Sequence, residues 1–349
     1  MRLTRPIQYV LVTVMIPLPV NGLAGRPACA ESAGRTIGSI ERLDAAIDRL
    51  VPSDAKLEII CGGFQWCEGP VWVRDAGFLL FSDIPNNALM RWDEQSGCSL
   101  YLKPAGYTGQ SPRGGESGSN GLALDRRGQL ILCQHGDRRV ARLEAAWDNP
   151  QPNFVTLADR YGGKRLNSPN DAAVHSSGAV YFTDPPYGLE KNIDDPAKEL
   201  PFQGVYRIAP DGSLALLTQE LERPNGIAFS PDEKTLYVAN SHGPRPIIMA
   251  FPVKVDGTLG DGREFFDARQ LTQKYEGACD GMTVDAHGNV FATVPGGVAV
   301  ITPGGKQLGM LLTGKRTSNC TFGDDGRTLF ITADDTLLRI HLTTKGAGF

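Results

Sequence analysis

The sequence predicts an all-β chain folded as a six-bladed β-propeller with a short N-terminal helix. Three observations carry that prediction. A unit of polar residue, small residue, alternating strand, turn and second strand recurs six times. Helical periodicity almost vanishes after Pro52. The 41 glycines of the 349 residues match the turn density of many short antiparallel strands.

The elements follow in order. Residues 1–30 read as a secretory signal peptide. Arg2 and Arg5 form a basic start, Tyr9 to Val20 is a short apolar run, and Ala28-Cys29-Ala30 fits a small-x-small cleavage site. The run is too short and too interrupted by proline to span a membrane. Export, with the bacterial periplasm as the expected compartment, follows. Residues 31–55 form an extension in which Ser39 to Val51 is expected to be helical. Ile40, Leu43, Ile47 and Leu50 have helical spacing, and Pro52 ends the run. The propeller occupies 56–349. Lys56 to Cys61 is expected to supply the outer strand that closes the ring.

The six units open at Glu68, Asn120, Asn170, Asn225, Asp280 and Asn319, with spacings of 52, 50, 55, 55 and 39 residues. Periods near 50 suit four-stranded blades. Each opening residue is followed by an alternating strand and then a second apolar strand, such as Phe78 to Asp83, Val180 to Asp184 or Thr235 to Asn240. No linker or composition shift divides the units, so they form one domain.

Loss of residues 1–30 removes three arginines and no acid from a formal net charge of −4, leaving −7. A mildly acidic chain without a basic patch is a poor partner for nucleic acid. No second stretch is apolar enough to enter a membrane. Oligomeric state is left open. Six cysteines remain after cleavage, at 61, 67, 98, 133, 279 and 320. An oxidising compartment permits disulfides, but sequence leaves the pairing open. Most are expected to be buried free thiols.

The first strand of each propeller blade lines the central channel. The six opening residues therefore form a ring around one axis. Carboxylate and amide oxygens are hard donors, and such a set suits a divalent cation. Ca²⁺ fits best, since it accepts six to eight oxygens in irregular geometry. Zn²⁺, Mg²⁺ and Mn²⁺ are the alternatives. Turn capping by Asn-Gly or Asp-Gly explains one or two of these positions. It explains poorly a register shared by six.

Cys67-Glu68-Gly69-Pro70-Val71-Trp72, Asn167-Ser168-Pro169-Asn170-Asp171, Tyr181 to Gly188 (YFTDPPYG), Arg223 to Asp232 (RPNGIAFSPD) and Cys279-Asp280-Gly281-Met282 together resemble the SMP-30/gluconolactonase/luciferin-regenerating family over roughly 56–340. The bacterial gluconolactonase-like branch is the nearest match. The resemblance implies a six-bladed propeller with a catalytic divalent cation. It implies Glu68, Asn225 and Asp280 as metal ligands, and Asn170 as a ligand or substrate contact. It gives no role to Asn120 or Asn319. Both are expected to hold waters or line the substrate cavity, with Asn120 a candidate for substrate binding.

The implied reaction is the opening of a sugar lactone, with Lewis-acid activation of the carbonyl and of water. Asp280 is the first candidate for the base and Glu68 the second. His135 and His242 follow strands near a channel mouth and are candidates for substrate binding or proton transfer; a hydrogen-bonded turn histidine is an equal reading. Asp184 and Tyr187 are candidates for shaping the cavity, though a turn fixed by Pro185 and Pro186 is simpler. Arg138 and Arg139 are read as a solvated loop. An aryl-ester or organophosphate hydrolase on the same scaffold, and a non-catalytic ligand-binding propeller, remain as alternative functions. No Gly-x-Ser-x-Gly elbow or phosphate loop is present, and Ser53 to Lys56 lacks the partners a Ser-x-x-Lys enzyme needs.

Overall fold

A computed structural model describes residues 34–349. The expected signal peptide, residues 1–30, lies outside the described residues. Among those described, no helix is long and apolar enough to cross a membrane.

Six antiparallel sheets surround one axis. Blade one runs inner to outer through Cys67–Val73, Phe78–Asp83, Ala88–Asp93 and Gly97–Leu102. Blades two, three and four repeat this order from Ser119–Leu124, Ala172–Val174 and Pro224–Phe229. Blade five begins at Met282–Val284. Blade six begins at Thr317–Gly323. Second strands such as Phe78–Asp83 and Val180–Asp184 are buried along their whole length. They are covered on both faces by neighbouring blades, which explains their near-continuous apolar sequence. One apolar cluster fills each gap between adjacent blades.

Blade six is completed from the other end of the chain. Leu57–Gly62 pairs antiparallel with Thr336–His341, so the strand expected over Lys56 to Cys61 closes the ring. Cys61 and Cys98 form a disulfide across that seam, joining the outer part of blade six to the outer strand of blade one. Cys67, Cys133, Cys279 and Cys320 are buried free thiols. The bridge closes a sequence separation of 37 residues. Its removal in Cys61→Ala/Cys98→Ala is expected to cost roughly 2–4 kcal/mol from loop-closure entropy. Chemical denaturation of variant and wild type checks this; equal midpoints would contradict it.

The N-terminal helix is shorter than expected. Ser39–Arg42 is a strand paired with Gln307–Leu312 of blade five. Only Ala45–Arg49 is helical, as a 3-10 turn capped by Asp44, whose carboxylate accepts from the Ala46 N–H. The open edge of blade five satisfies the backbone of residues 39–42, which an isolated helix this short would not stabilise. Ile47 and Leu50 still reach the core, whereas Leu43 is exposed. Thr36–Ile37 adds to the blade-six edge. Residues 36–42 are thus sewn into two blades instead of forming a separate extension.

Candidate active site

The six opening residues do not sit in regular strand. In blades one, two and four the register between first and second strands shifts across Glu68/Val71, Ser119/Leu122 and Pro224/Ile227. Blade six shifts across Thr317/Asn319. These are bulges, which leave one residue unpaired and re-aim a side chain. In blades three and five the regular strand starts later. Asn170 and Asp280 precede it, donating their N–H groups to the carbonyls of Thr183 and Thr293.

A glycine follows four of the six. A Cβ at Gly69 would lie 2.2 Å from the Asn120 carbonyl oxygen, and one at Gly226 would lie 2.1 Å from that of Asp280. A Cβ at Gly281 would lie 1.9 Å from the Asn319 side chain. Each glycine therefore admits the ring residue of the next blade. Hydroxyls from the second strands lock the same layer: Ser82 donates to the Asn120 carbonyl, Thr183 to that of Asn225 and Thr293 to that of Ser318.

The ring opens into a cavity of about 190 Å³. Glu68, Asn120, Asn170, Asn225 and Asp280 line it. Asn319 does not: its Nδ2 donates to Glu68 Oε2 at 3.1 Å, and its Oδ1 accepts from the Cys320 N–H. It braces Glu68. The Gly69 N–H also donates to Glu68 Oε2, at 2.7 Å. Trp66, Glu116, Tyr187, Ser241 and Ala278 complete the wall.

The other sequence candidates are placed as follows. His135 is fully buried behind Asn170 and is not part of the cavity wall. His242 is not part of it either, but its neighbour Ser241 is, bonded to Tyr187 OH. Asp184 lies outside the cavity and accepts the N–H groups of Asn167 and Ser168, both at 2.8 Å, which fixes the turn leading to Asn170. Arg138 is buried, its Nε donating to the carbonyls of Leu166 and Asn167 and its Nη1 to that of Ala197, so it is not the solvated loop residue expected. Arg139 pairs with Asp137. Glu116, Trp66 and Ser241 were not legible in the sequence: Trp66 and Glu116 stand on connections between blades, and Ser241 stands on the loop after the second strand of blade four, where no repeat marks them.

The electrostatics are those of crowded acids. Glu68 is pushed up to about 8, first by burial and then by the charge of Asp171, against hydrogen bonds from Gly69 and Asn319 that lower it. Asp280 keeps some exposure to the cavity and is held well above the ordinary carboxylate range, by burial and then by Glu68, Asp171 and Glu116. Asp171, buried next to Asn170, is raised to about 6 by burial.

Buried acceptors without donors are uncommon and cost about 1–3 kcal/mol each. Three ring oxygens are in that state: Asn120 Oδ1, Asn170 Oδ1 and Asp280 Oδ1. All three belong to residues that line the one cavity. A dication would satisfy such oxygens and offset the repulsion between Glu68 and Asp280, so the donor set fits a hard cation. Among the described residues no group of three His, Cys, Asp or Glu side chains forms a metal cluster. The ring offers two carboxylates, and its remaining donors are amides.

Comparison with known proteins gives consistent results. A family model described as SMP-30/Gluconolactonase/LRE-like region matches residues 66–335. A gluconolactonase of Zymomonas mobilis is 40% identical over 350 aligned positions, covering 95% of this chain and 96% of its own. The structure of a gluconolactonase of Xanthomonas campestris superposes with a TM-score of 0.75 at 34% identity, covering 90% of this chain and 99% of that one. A calcium-binding regucalcin of Agrobacterium tumefaciens shares the fold, with a TM-score of 0.63 at 19% identity over 82% of this chain and 92% of its own.

Proposed function

The chain belongs to the SMP-30/gluconolactonase/LRE-like family, and from that premise we propose that it is a divalent-cation-dependent lactonase that opens a sugar lactone in the central channel. The single observation that carries the cation reading is the convergence of three donorless oxygens with Glu68 on one cavity. Relatives named gluconolactonase, similar over nearly the whole chain, support the substrate class.

A lactone is a cyclic ester, and its hydrolysis needs a polarised carbonyl, a deprotonated water and an exit for the ring oxygen. Glu68, Asn170, Asn225 and Asp280 would hold the cation, with Asn120 Oδ1 as a further donor. When bound, the cation supplies Lewis acidity at the lactone carbonyl. Asp280 takes the proton from the attacking water. Its carboxylate lines the cavity, and its Oδ1 has no hydrogen-bond partner within the protein. That proton then leaves with the ring oxygen as the C–O bond breaks. Tyr187 and Ser241, bonded to each other on the wall, offer hydroxyls to the polyol. Trp66 supplies an apolar surface for the sugar ring.

Acid release from sugar lactones, aryl esters and phosphotriesters, measured side by side after determining bound metals, tests the reading. Turnover confined to lactones is expected. A preference for aryl esters or phosphotriesters would overturn the substrate class. Export to the periplasm is part of the proposal, supported by the features of residues 1–30 and by the Cys61–Cys98 bridge.

The raised carboxylates set the pH dependence. Without cation, a Glu68 pKa near 8 lies above its ordinary value of 4.5. The folded form then binds more protons than the unfolded one, so this group's contribution to stability is lost as pH rises through that window. A cation selects the ionised form. The rise in Tm caused by saturating Ca²⁺ is therefore expected to be larger at pH 9 than at pH 6. A rise independent of pH would contradict the assignment of Glu68 as a ligand.

A further inference from the structure

Behind the cavity wall lies a chain of three side chains. Glu116 stands on the connection between blades one and two and reaches the cavity. Its Oε2 lies 2.9 Å from His135 Nδ1, at ion-pair distance but outside hydrogen-bond alignment. On the far side of the ring, His135 Nε2 lies 3.5 Å from Asn170 Nδ2. The imidazole is fully buried. Its position is set by Gly188, where a Cβ would fall 2.5 Å from the His135 Cβ. Gly188 is itself held by Ser168 Oγ, which accepts its N–H at 2.9 Å.

An amide has two nearly isosteric faces, and only its oxygen donates electrons to a cation. A bare cavity does not choose between them. A proton on Nδ1, the nitrogen that faces the Glu116 carboxylate, leaves Nε2 as an acceptor. Nε2 then takes the Asn170 N–H and turns Oδ1 away from the imidazole. Asn170 Oδ1 is indeed the buried atom left without a donor.

We propose that His135 is a positioning residue that presents the oxygen of the Asn170 amide to the cavity, and that Glu116 fixes the imidazole tautomer that does so. This rests on the reading of Asn170 as an oxygen donor to the cation. It also accounts for the Pro-Pro-Tyr-Gly run: the glycine seats the imidazole, while the tyrosine faces the cavity.

Calorimetric titration with Ca²⁺ of the full mature chain tests the proposal, with thermal melts in chelator to confirm folding. His135→Leu removes the acceptor, and its affinity is expected to fall about 10–100-fold. His135→Gln, whose side-chain oxygen reaches toward the Nε2 position, should bind close to wild type. In an Asn170→Ala background His135→Leu should cause no further loss. Wild-type affinity in folded His135→Leu, or a full additional loss in the Asn170→Ala background, would overturn the proposal. Glu116→Ala, at a half-exposed position, carries the same test if the buried substitution prevents folding. A loss of affinity that disappears in the Asn170→Ala background supports the chain, and unchanged affinity overturns it. Asn170→Ala with full Ca²⁺ affinity would overturn this inference and leave the cation reading standing. Wild-type protein that binds none of Ca²⁺, Zn²⁺, Mg²⁺ and Mn²⁺ would remove the cation reading, and this inference with it.

Discussion

Asp280→Asn is expected to lower kcat for lactone opening by about 10²–10⁴-fold, the usual worth of a positioned general base. The amide keeps the size of the carboxylate and an oxygen for the cation but cannot accept a proton at neutral pH. Folding should not suffer. Asp280 is held above the carboxylate range by burial and by Glu68, Asp171 and Glu116. Removing its charge relieves repulsion, so Tm without cation should stay level or rise. The pairing of lost turnover with retained or increased Tm separates a catalytic role from a structural one. Near-normal kcat would remove Asp280 as the base, and a large fall in Tm would show that its charge supports the fold.

The second large effect is expected at Glu68. Glu68→Gln keeps an oxygen that can accept the Gly69 N–H, the shorter of the two bonds at Glu68 Oε2. The fold is therefore retained. The ring loses half of its carboxylate charge, because Asn120, Asn170 and Asn225 are neutral. A cation held by oxygen donors depends on that charge. Affinity should fall by at least about 10²-fold, a loss near 2.7 kcal/mol. Activity should vanish at low cation and return in part at excess. Dialysis of wild type against chelator should give the same loss, reversed by Ca²⁺. Activity that survives thorough chelation in wild type would reject the cation-dependent mechanism.

Much of the site was legible because it is built from a repeat. Glu68-Gly69, Asn120-Gly121, Asn225-Gly226 and Asp280-Gly281 are local backbone instructions. A polar residue stands at an irregularity of the inner strand, and a glycine lets the next blade approach. Such information lies within a few residues, so periodicity exposes it. Asp171 and Cys320 take the place of that glycine in blades three and six, yet the polar residue before each still marks the unit. The closing strand was legible for the same reason, since Leu57–Gly62 is a strand-like run with no partner in its own unit.

The helix expected over Ser39 to Val51 shows the reverse. Its apolar spacing is real, but an open blade edge offered residues 39–42 a better partner for their backbone. Nothing within the segment signals that edge, which lies in Gln307–Leu312. Glu116 was missed because it stands in a glycine- and serine-rich connection without period, and it matters only through the ring it touches on His135.

By itself, then, the sequence determined six polar-small-strand units, an all-β ring, and five of the side chains that line its cavity. Those follow from short-range rules of strand alternation, bulge and turn. The tertiary structure alone decided which ring residue faces the cavity and which braces another. Asn319 and Glu68 are 251 residues apart, and their hydrogen bond exists only because blade six closes on blade one. The same closure paired Cys61 with Cys98 and left Asn120, Asn170 and Asp280 with oxygens lacking a donor. The physical reason is one of range. Backbone irregularity is encoded next to the residue it aims, whereas burial, charge crowding and hydrogen-bond partners depend on whatever the closed ring brings alongside.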